Sequence, residues 1–143
     1  MLTGQYQHQV DYKDRVSVPK KFRLELVGGG VLTRGLDGCL FLFPKKTWES
    51  VSGKLAKLPL TGRDARAFSR FLYANAVEVK FDSLGRITLP DYLLSFAKIK
   101  NNVTFVGVGD RLEIWSEDSW NTYQGVTEKE ATVVAEKLLE SGI

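Results

Sequence analysis

The chain has 143 residues, 43% of them hydrophobic and 26% charged, with one cysteine, one histidine and a formal net charge of +3. That length suits one domain or two small halves sharing a core, and the composition excludes a disordered chain. A single cysteine excludes an internal disulfide, and one His with one Cys cannot assemble a zinc site within the chain.

Met1 leads into a patterned strand, without the basic segment and apolar run of a signal peptide, and no stretch approaches membrane-spanning length. The expectation is a cytoplasmic protein without membrane association. Tyr6, His8 and Val10 alternate with Gln5, Gln7 and Gln9, the period of a half-buried strand. Next comes Asp11-Tyr-Lys-Asp-Arg15, then the short alternating run Val16-Ser-Val18. This predicts a hairpin with Asp11 and Arg15 on either side of its tip. Pro19 can take the first position of a short helix from Lys20 to about Leu26, since the N–H it lacks would be unpaired there. After Gly28-Gly29-Gly30, a bare loop, Leu32–Leu36 turns through Asp37-Gly38 into Cys39–Phe43 as a second hairpin. Cys39 lies in an apolar run and reads as a buried thiol. Thr47 can cap a helix carrying Trp48, Val51, Leu55 and Leu58 on one face. Beyond Pro59, a helix over 61–76 places Ala65, Phe68 and Leu72 on one side and Arg63, Arg66 and Arg70 on another.

The series then begins again. Val77, Val79 and Phe81 alternate, and Asp82-Ser-Leu-Gly-Arg86 is followed by Ile87-Thr-Leu89 and Pro90. A helix is predicted from Asp91 to about Lys98, then a hairpin of Val103–Val108 and Arg111–Trp115 joined by Gly109-Asp110. Thr127 and Glu130 form a capping-box pattern ahead of the stripe Ala131, Val134, Ala135, Leu138 and Leu139. Asp, Arg and Pro recur at an offset of 71, while Leu40/Leu112, Phe43/Trp115 and Trp48/Trp120 match at 72. One residue inserted between motif and hairpin would explain the change. Two copies of one structural unit follow from this self-match. The expected organisation is a first half-domain over 1–53, a helical connection over 54–76, a second half-domain over 77–124 and a terminal helix over 125–143.

The copies differ in charge. Residues 1–71 hold 13 Lys and Arg against 6 Asp and Glu, whereas residues 72–143 hold 7 against 11. Lys13, Arg15, Lys20, Lys21 and Arg23 crowd the first motif, and Arg86 is the one cation of the second. An aspartate opening a tight turn can accept the loop's N–H groups. Gly85 supplies a residue at ease with positive φ, and Asp14 stands at the matching place. In either copy Asp and Arg can simply pair across the loop. The cations around the first copy exceed what its aspartates neutralise, which points to phosphate contact and base-edge reading there.

Residues for catalysis are scarce: His8 is the one histidine, and no nucleophile elbow, Walker loop or dinucleotide fingerprint is present. Asp11 and Asp82 each have an adjacent arginine that keeps them ionised and structural. The chain is expected not to be an enzyme and to need no cofactor or metal.

The doubled D-x-x-x-R with Pro19 and Pro90, the opening Gly4-Gln-Tyr-Gln-His8, the segment Arg70–Ala76 and the run Gly107–Trp115 resemble the bacterial MraZ family over essentially the whole chain. The resemblance implies a mixed α+β, mainly β fold: two AbrB-like swapped-hairpin half-domains in a pseudo-two-fold β-barrel with flanking helices. It also implies a nucleoid-associated transcriptional regulator, usually a repressor, of the division and cell-wall gene cluster. Such a protein would bind short direct repeats in double-stranded DNA upstream of its own operon, as a closed ring of about eight or more subunits. By position, Arg15 is the first candidate for DNA contact, with Lys13, Lys20, Lys21 and Arg86 beside it. Asp11, Asp82, Pro19, Pro90 and Gly85 are the structural residues of the motif. The family's first motif usually has glycine where this chain has Asp14. A structural ring and an antitoxin-type regulator are the alternatives. The opposite charges of the two halves suit a head-to-tail contact between neighbouring subunits.

Overall fold

The computed structural model describes all 143 residues. In chain order they form β1 Leu2–Gln9, β2 Arg15–Ser17, α1 Lys20–Arg23, β3 Gly30–Arg34, β4 Leu40–Pro44, α2 Lys45–Ala56 and α3 Arg63–Tyr73. The second half supplies β5 Val77–Val79, β6 Arg86–Thr88, α4 Asp91–Phe96, β7 Asn102–Gly109, β8 Leu112–Ser116 and α5 Glu117–Lys137. The fold is mixed α/β and mostly sheet.

Six strands form one antiparallel sheet in the order β1-β7-β8-β4-β3-β5, while β2 and β6 pair separately. Exchanging the copies turns this order into its own reverse. Each copy's first strand therefore lies against the other copy's hairpin: β1 against β7, and β5 against β3. Two expectations are corrected here. The sheet is open, with β1 and β5 at its edges, so no closed barrel forms. Nor is the motif the tip of a β1–β2 hairpin, because β2 leaves β1 to pair with β6 from the other copy. Val16 and Ile87 face each other in that ribbon, each 1% exposed, and both lie in the main core. Burying one such side chain is worth about 1.5–3 kcal/mol, so the crossed pairing supplies its own driving force.

The main core joins both copies: Phe22, Leu32, Leu40, Leu42, Ile87, Leu93, Phe105 and Ile114 are all buried in it. Alternation sends the other residues of β4 and β8 through the sheet. Phe41, Phe43 and Trp115 meet Cys39 and Val106 on the far face, with Trp48, Val51 and Trp120 packed against them. A strand buried on both faces is the reason Cys39–Phe43 is continuously apolar. Burial pushes the Cys39 thiol far above its usual pKa, leaving it inert.

Several boundaries differ from the sequence reading. Pro19 and Pro90 sit one place earlier than expected, as extended N-cap residues whose carbonyls accept the first helical N–H bonds, from Phe22 and Leu93. The helices they open are short, four and six residues, and end before Leu26 and Lys98. Arg34 pairs with Leu40 but Gly107 with Leu112, so β3 and β7 correspond at 73 while β4 and β8 keep 72. Two extra residues in α4 and one fewer in the second hairpin loop replace the single insertion expected. The first hairpin accordingly turns through Leu36-Asp37-Gly38, and the second through Gly109-Asp110 as expected.

Helix α2 starts at Lys45 behind Pro44, not at a Thr47 cap, and α3 spans Arg63–Tyr73, inside the range expected. The last helix has no start at Thr127, whose hydroxyl donates to the Tyr123 carbonyl within the helix. Its cap is Ser116, which accepts from the Ser119 N–H at 3.1 Å. The boundaries expected at 53 and 124 fall inside α2 and α5. Only the first turns of α5 pack on the body, through Trp120 and Tyr123 against Trp115. Its later stripe does not: Val134, Leu138 and Leu139 are exposed, as is the neighbouring Val133.

Candidate nucleic-acid interface

Both motif loops close in the same way. Asp11 Oδ1 accepts the N–H groups of Lys13 at 2.8 Å and Arg15 at 3.0 Å, and its Oδ2 accepts from Arg15 Nε at 2.9 Å. Asp82 repeats this with Leu84 and Arg86, both at 2.9 Å, and Arg86 Nε at 2.7 Å. The main chain adds Asp11 N–H to Arg15 O and Asp82 N–H to Arg86 O. Each turn needs a residue at positive φ in its fourth position: Gly85 at 75° and Asp14 at 59°. Asp14 bears the strain that glycine escapes.

The Asp–Arg pairing set out as an alternative is thus present in both copies. It uses only the Nε of each arginine. Arg15's terminal nitrogens make no hydrogen bond within the chain, and Arg86 Nη1 reaches Asp11 Oδ2 at 3.8 Å. That reach joins the two motifs into a single site. In the ribbon Arg15 opposes Thr88 and Ser17 opposes Arg86, with Val16 and Ile87 turned inward. Both guanidiniums therefore lie on the outward face, their Nε fixed and their Nη groups open to a planar acceptor such as a phosphate or guanine O6/N7.

Hydrogen bonds from the Arg15 and Arg86 N–H groups, followed by others in the loops, hold the Asp11 and Asp82 carboxyls below the usual carboxylate pKa. A depressed folded pKa adds stability that is complete above the ordinary value of about 4 and fades as pH falls through the folded one. The expected result is a melting temperature that these carboxylates leave unchanged from pH 7 to 5 and that drops below about pH 4. Asp82→Asn should melt lower at pH 7 and lose less on acidification; an unchanged acid slope would contradict the role assigned to Asp82.

Two of the cations expected around the first motif, Lys21 and Arg23, are engaged elsewhere. Lys21 Nζ donates to Thr3 O at 3.2 Å and Thr3 Oγ1 at 3.4 Å, which ties it to β1. Arg23 Nη1 lies 3.5 Å from Leu84 O, in the second motif's loop. Lys13 stays on the first loop, its Nζ 5.6 Å from the Tyr12 ring centroid. Conversely, the neighbouring carboxyl of Asp91, the first residue of α4, pushes the Asp14 carboxyl up from the usual carboxylate value. Sequence neighbours are exchanged because Val18 N–H bonds Gly85 O and Leu89 N–H bonds Asp14 O, carrying each helix over the opposite loop.

The family model described as "MraZ protein, putative antitoxin-like" matches twice, over residues 1–71 and 72–140. The chain belongs to the MraZ family. Proteins named transcriptional regulator MraZ are similar to it throughout: that of Thermoanaerobacter pseudethanolicus is 48% identical over 143 residues, the whole of both chains. Those of Carboxydothermus hydrogenoformans and Clostridium tetani are 44% and 43% identical, over 98% and 100% of both chains. The family's two matched units divide the chain between 71 and 72, ahead of β5, where the crossed pairing begins its second half. Of the residues expected to contact DNA, Arg15 and Arg86 lie on one face of the β2–β6 ribbon and Lys13 on the first loop. The sequence reading missed Arg23 and Asp91 as neighbours of the opposite loops. Positions related by 71 could have signalled them: Arg23 answers to Leu94 and Lys20 to Asp91, so the two copies of the unit are not chemically equivalent.

Proposed function

We propose that this chain is a transcriptional regulator that binds double-stranded DNA through the β2–β6 face. What carries the reading is the pair Arg15 and Arg86, each locked at Nε by its own aspartate and linked through Asp11. A short two-stranded ribbon with oriented guanidiniums fits the major groove, where bidentate arginine reads guanine. Lys20 on an exposed position adds phosphate attraction, and Ser17 and Thr88 supply hydroxyls on the same face.

One such site is small, so affinity comes from repetition. A closed ring of about eight or more subunits would present many copies of the face to direct repeats, raising effective concentration without new contacts. The exposed stripe of α5 supports assembly, since nothing within the subunit covers it. The family resemblance completes the reading: repression of the division and cell-wall cluster through repeats upstream of its own operon. Gel-shift titration of the upstream DNA against an unrelated duplex tests it. Shifted upstream DNA at salt concentrations that release the unrelated duplex is the expected result. Equal behaviour of both duplexes would favour a structural ring, and capture of DNA only together with a second, toxin-like protein would favour the antitoxin-type alternative.

A further inference from the structure

The two motif loops share a backbone conformation and differ in the charge that the helix of the opposite copy brings to each. Loop 82–86 lies under α1. A methyl group built on Gly85 would collide with the Arg23 guanidinium and lie 2.9 Å from its Cδ, so Arg23 packs directly on the buried glycine. Its Nη1 reaches the Leu84 carbonyl, beside Asp82 and Arg86. Lys20 heads the same helix, two residues beyond the Val18 that bonds Gly85. Helix α1 thus adds Arg23 to a loop whose own charges, Asp82 and Arg86, pair with each other, and Lys20 stands exposed at the head of the same helix. Loop 11–15 lies beside α4 instead. The Leu89 N–H bonds the Asp14 carbonyl at 2.8 Å, which brings Asp91, at the head of α4, beside Asp14 and adds an anion to a loop whose Asp11 and Arg15 pair with each other. The residue answering to Arg23 is Leu94, which brings no charge.

We infer that the DNA face is polarised: Arg23, delivered by α1 to the second motif's loop, holds the phosphate backbone, and the Asp14–Asp91 pair keeps phosphate away from the first. This rests on the DNA-binding reading above and reverses the placement that sequence neighbours give. It also accounts for Asp14 in place of glycine. The Asp14 side chain stands where, in the other copy, Arg23 fills the corresponding space above Gly85. A face attractive at one end and repulsive at the other fixes the direction in which a duplex lies across it. Such a bias favours tandem direct repeats over inverted ones, because every subunit then meets the backbone in the same sense.

The test measures binding of the full-length protein to a duplex by fluorescence anisotropy over a fourfold range of salt, with Arg23→Gln, Arg23→Lys and Asp14→Asn. Arg23→Gln should reduce the slope of log K against log salt by about 0.9 for each engaged subunit. Arg23→Lys should keep the slope, since charge and not loop support is what phosphate needs. Asp14→Asn should tighten binding several-fold at low salt. Wild-type slope in Arg23→Gln, or equal loss in the Lys and Gln variants, overturns the assignment of Arg23 to phosphate. Unchanged affinity in Asp14→Asn overturns the repulsive role. Arg15→Ala run alongside separates the two levels: if it releases DNA while Arg23→Gln does nothing, the DNA reading stands and the polarity falls. If neither changes binding, the DNA-binding face itself is misplaced.

Discussion

Arg15→Ala is expected to abolish detectable binding to the upstream DNA while leaving the fold intact. The guanidinium is bound within the chain only through Nε, and Asp11 keeps two N–H partners after its removal, those of Lys13 and residue 15. The side chain is 24% exposed and sits on the outward face of the ribbon, so no cavity opens in the core. Binding suffers far more. A bidentate base contact is worth about 1–3 kcal/mol, and the loss recurs in every subunit engaged on the duplex. Two engaged subunits already multiply about tenfold effects into about a hundredfold. Anisotropy with the upstream duplex, beside circular dichroism and thermal melting of the variant, reads both quantities. Binding within twofold of wild type would remove Arg15 from the interface.

The second large effect is on stability. Gly85→Ala is expected to destabilise the protein by about 2 kcal/mol, from two costs that act together. A left-handed backbone conformation costs an L-residue roughly 1–2 kcal/mol, and Gly85 has φ 75°. The new methyl must also expel the Arg23 guanidinium packed on the glycine. Chemical denaturation of the variant measures the loss. The matching change in the other copy should go the opposite way. Asp14→Gly relieves the strain at φ 59° and removes one of two adjoining carboxyls, so its denaturation midpoint should rise. Gly85→Ala as stable as wild type would mean that the second loop does not need its left-handed corner.

The loops were legible because they are local. Asp11 and Asp82 bond N–H groups two and four residues ahead, and any chain with that spacing can close the same turn. The second hairpin was legible for the same reason, since Gly109-Asp110 is a two-residue turn with the glycine at φ 95°. The first hairpin carries the same dipeptide reversed and takes one residue more, with Asp37 and Gly38 both at positive φ. The Thr127 capping pattern misled because Ser116 already caps the helix eleven positions earlier, and a helix once nucleated continues through a weaker start signal. Charge counting misled more deeply. It assigned Lys20, Lys21 and Arg23 to the loop nearest in sequence, and the strand exchange sends Arg23 to the opposite one and Lys21 to Thr3.

By itself, then, the sequence determined that two copies of a D-x-x-x-R unit exist, that each loop closes on its aspartate, and which arginines leave the loops. These depend on hydrogen bonds between residues at most four apart. The tertiary structure decided which loop each helix covers, and hence where the charges around the β2–β6 face lie. Strands of three residues carry too little pattern to specify a partner, and β2 could pair with β1 or β6 on alternation alone. Burial of Val16 against Ile87 in the shared core settles the choice, and that contact joins residues 71 apart.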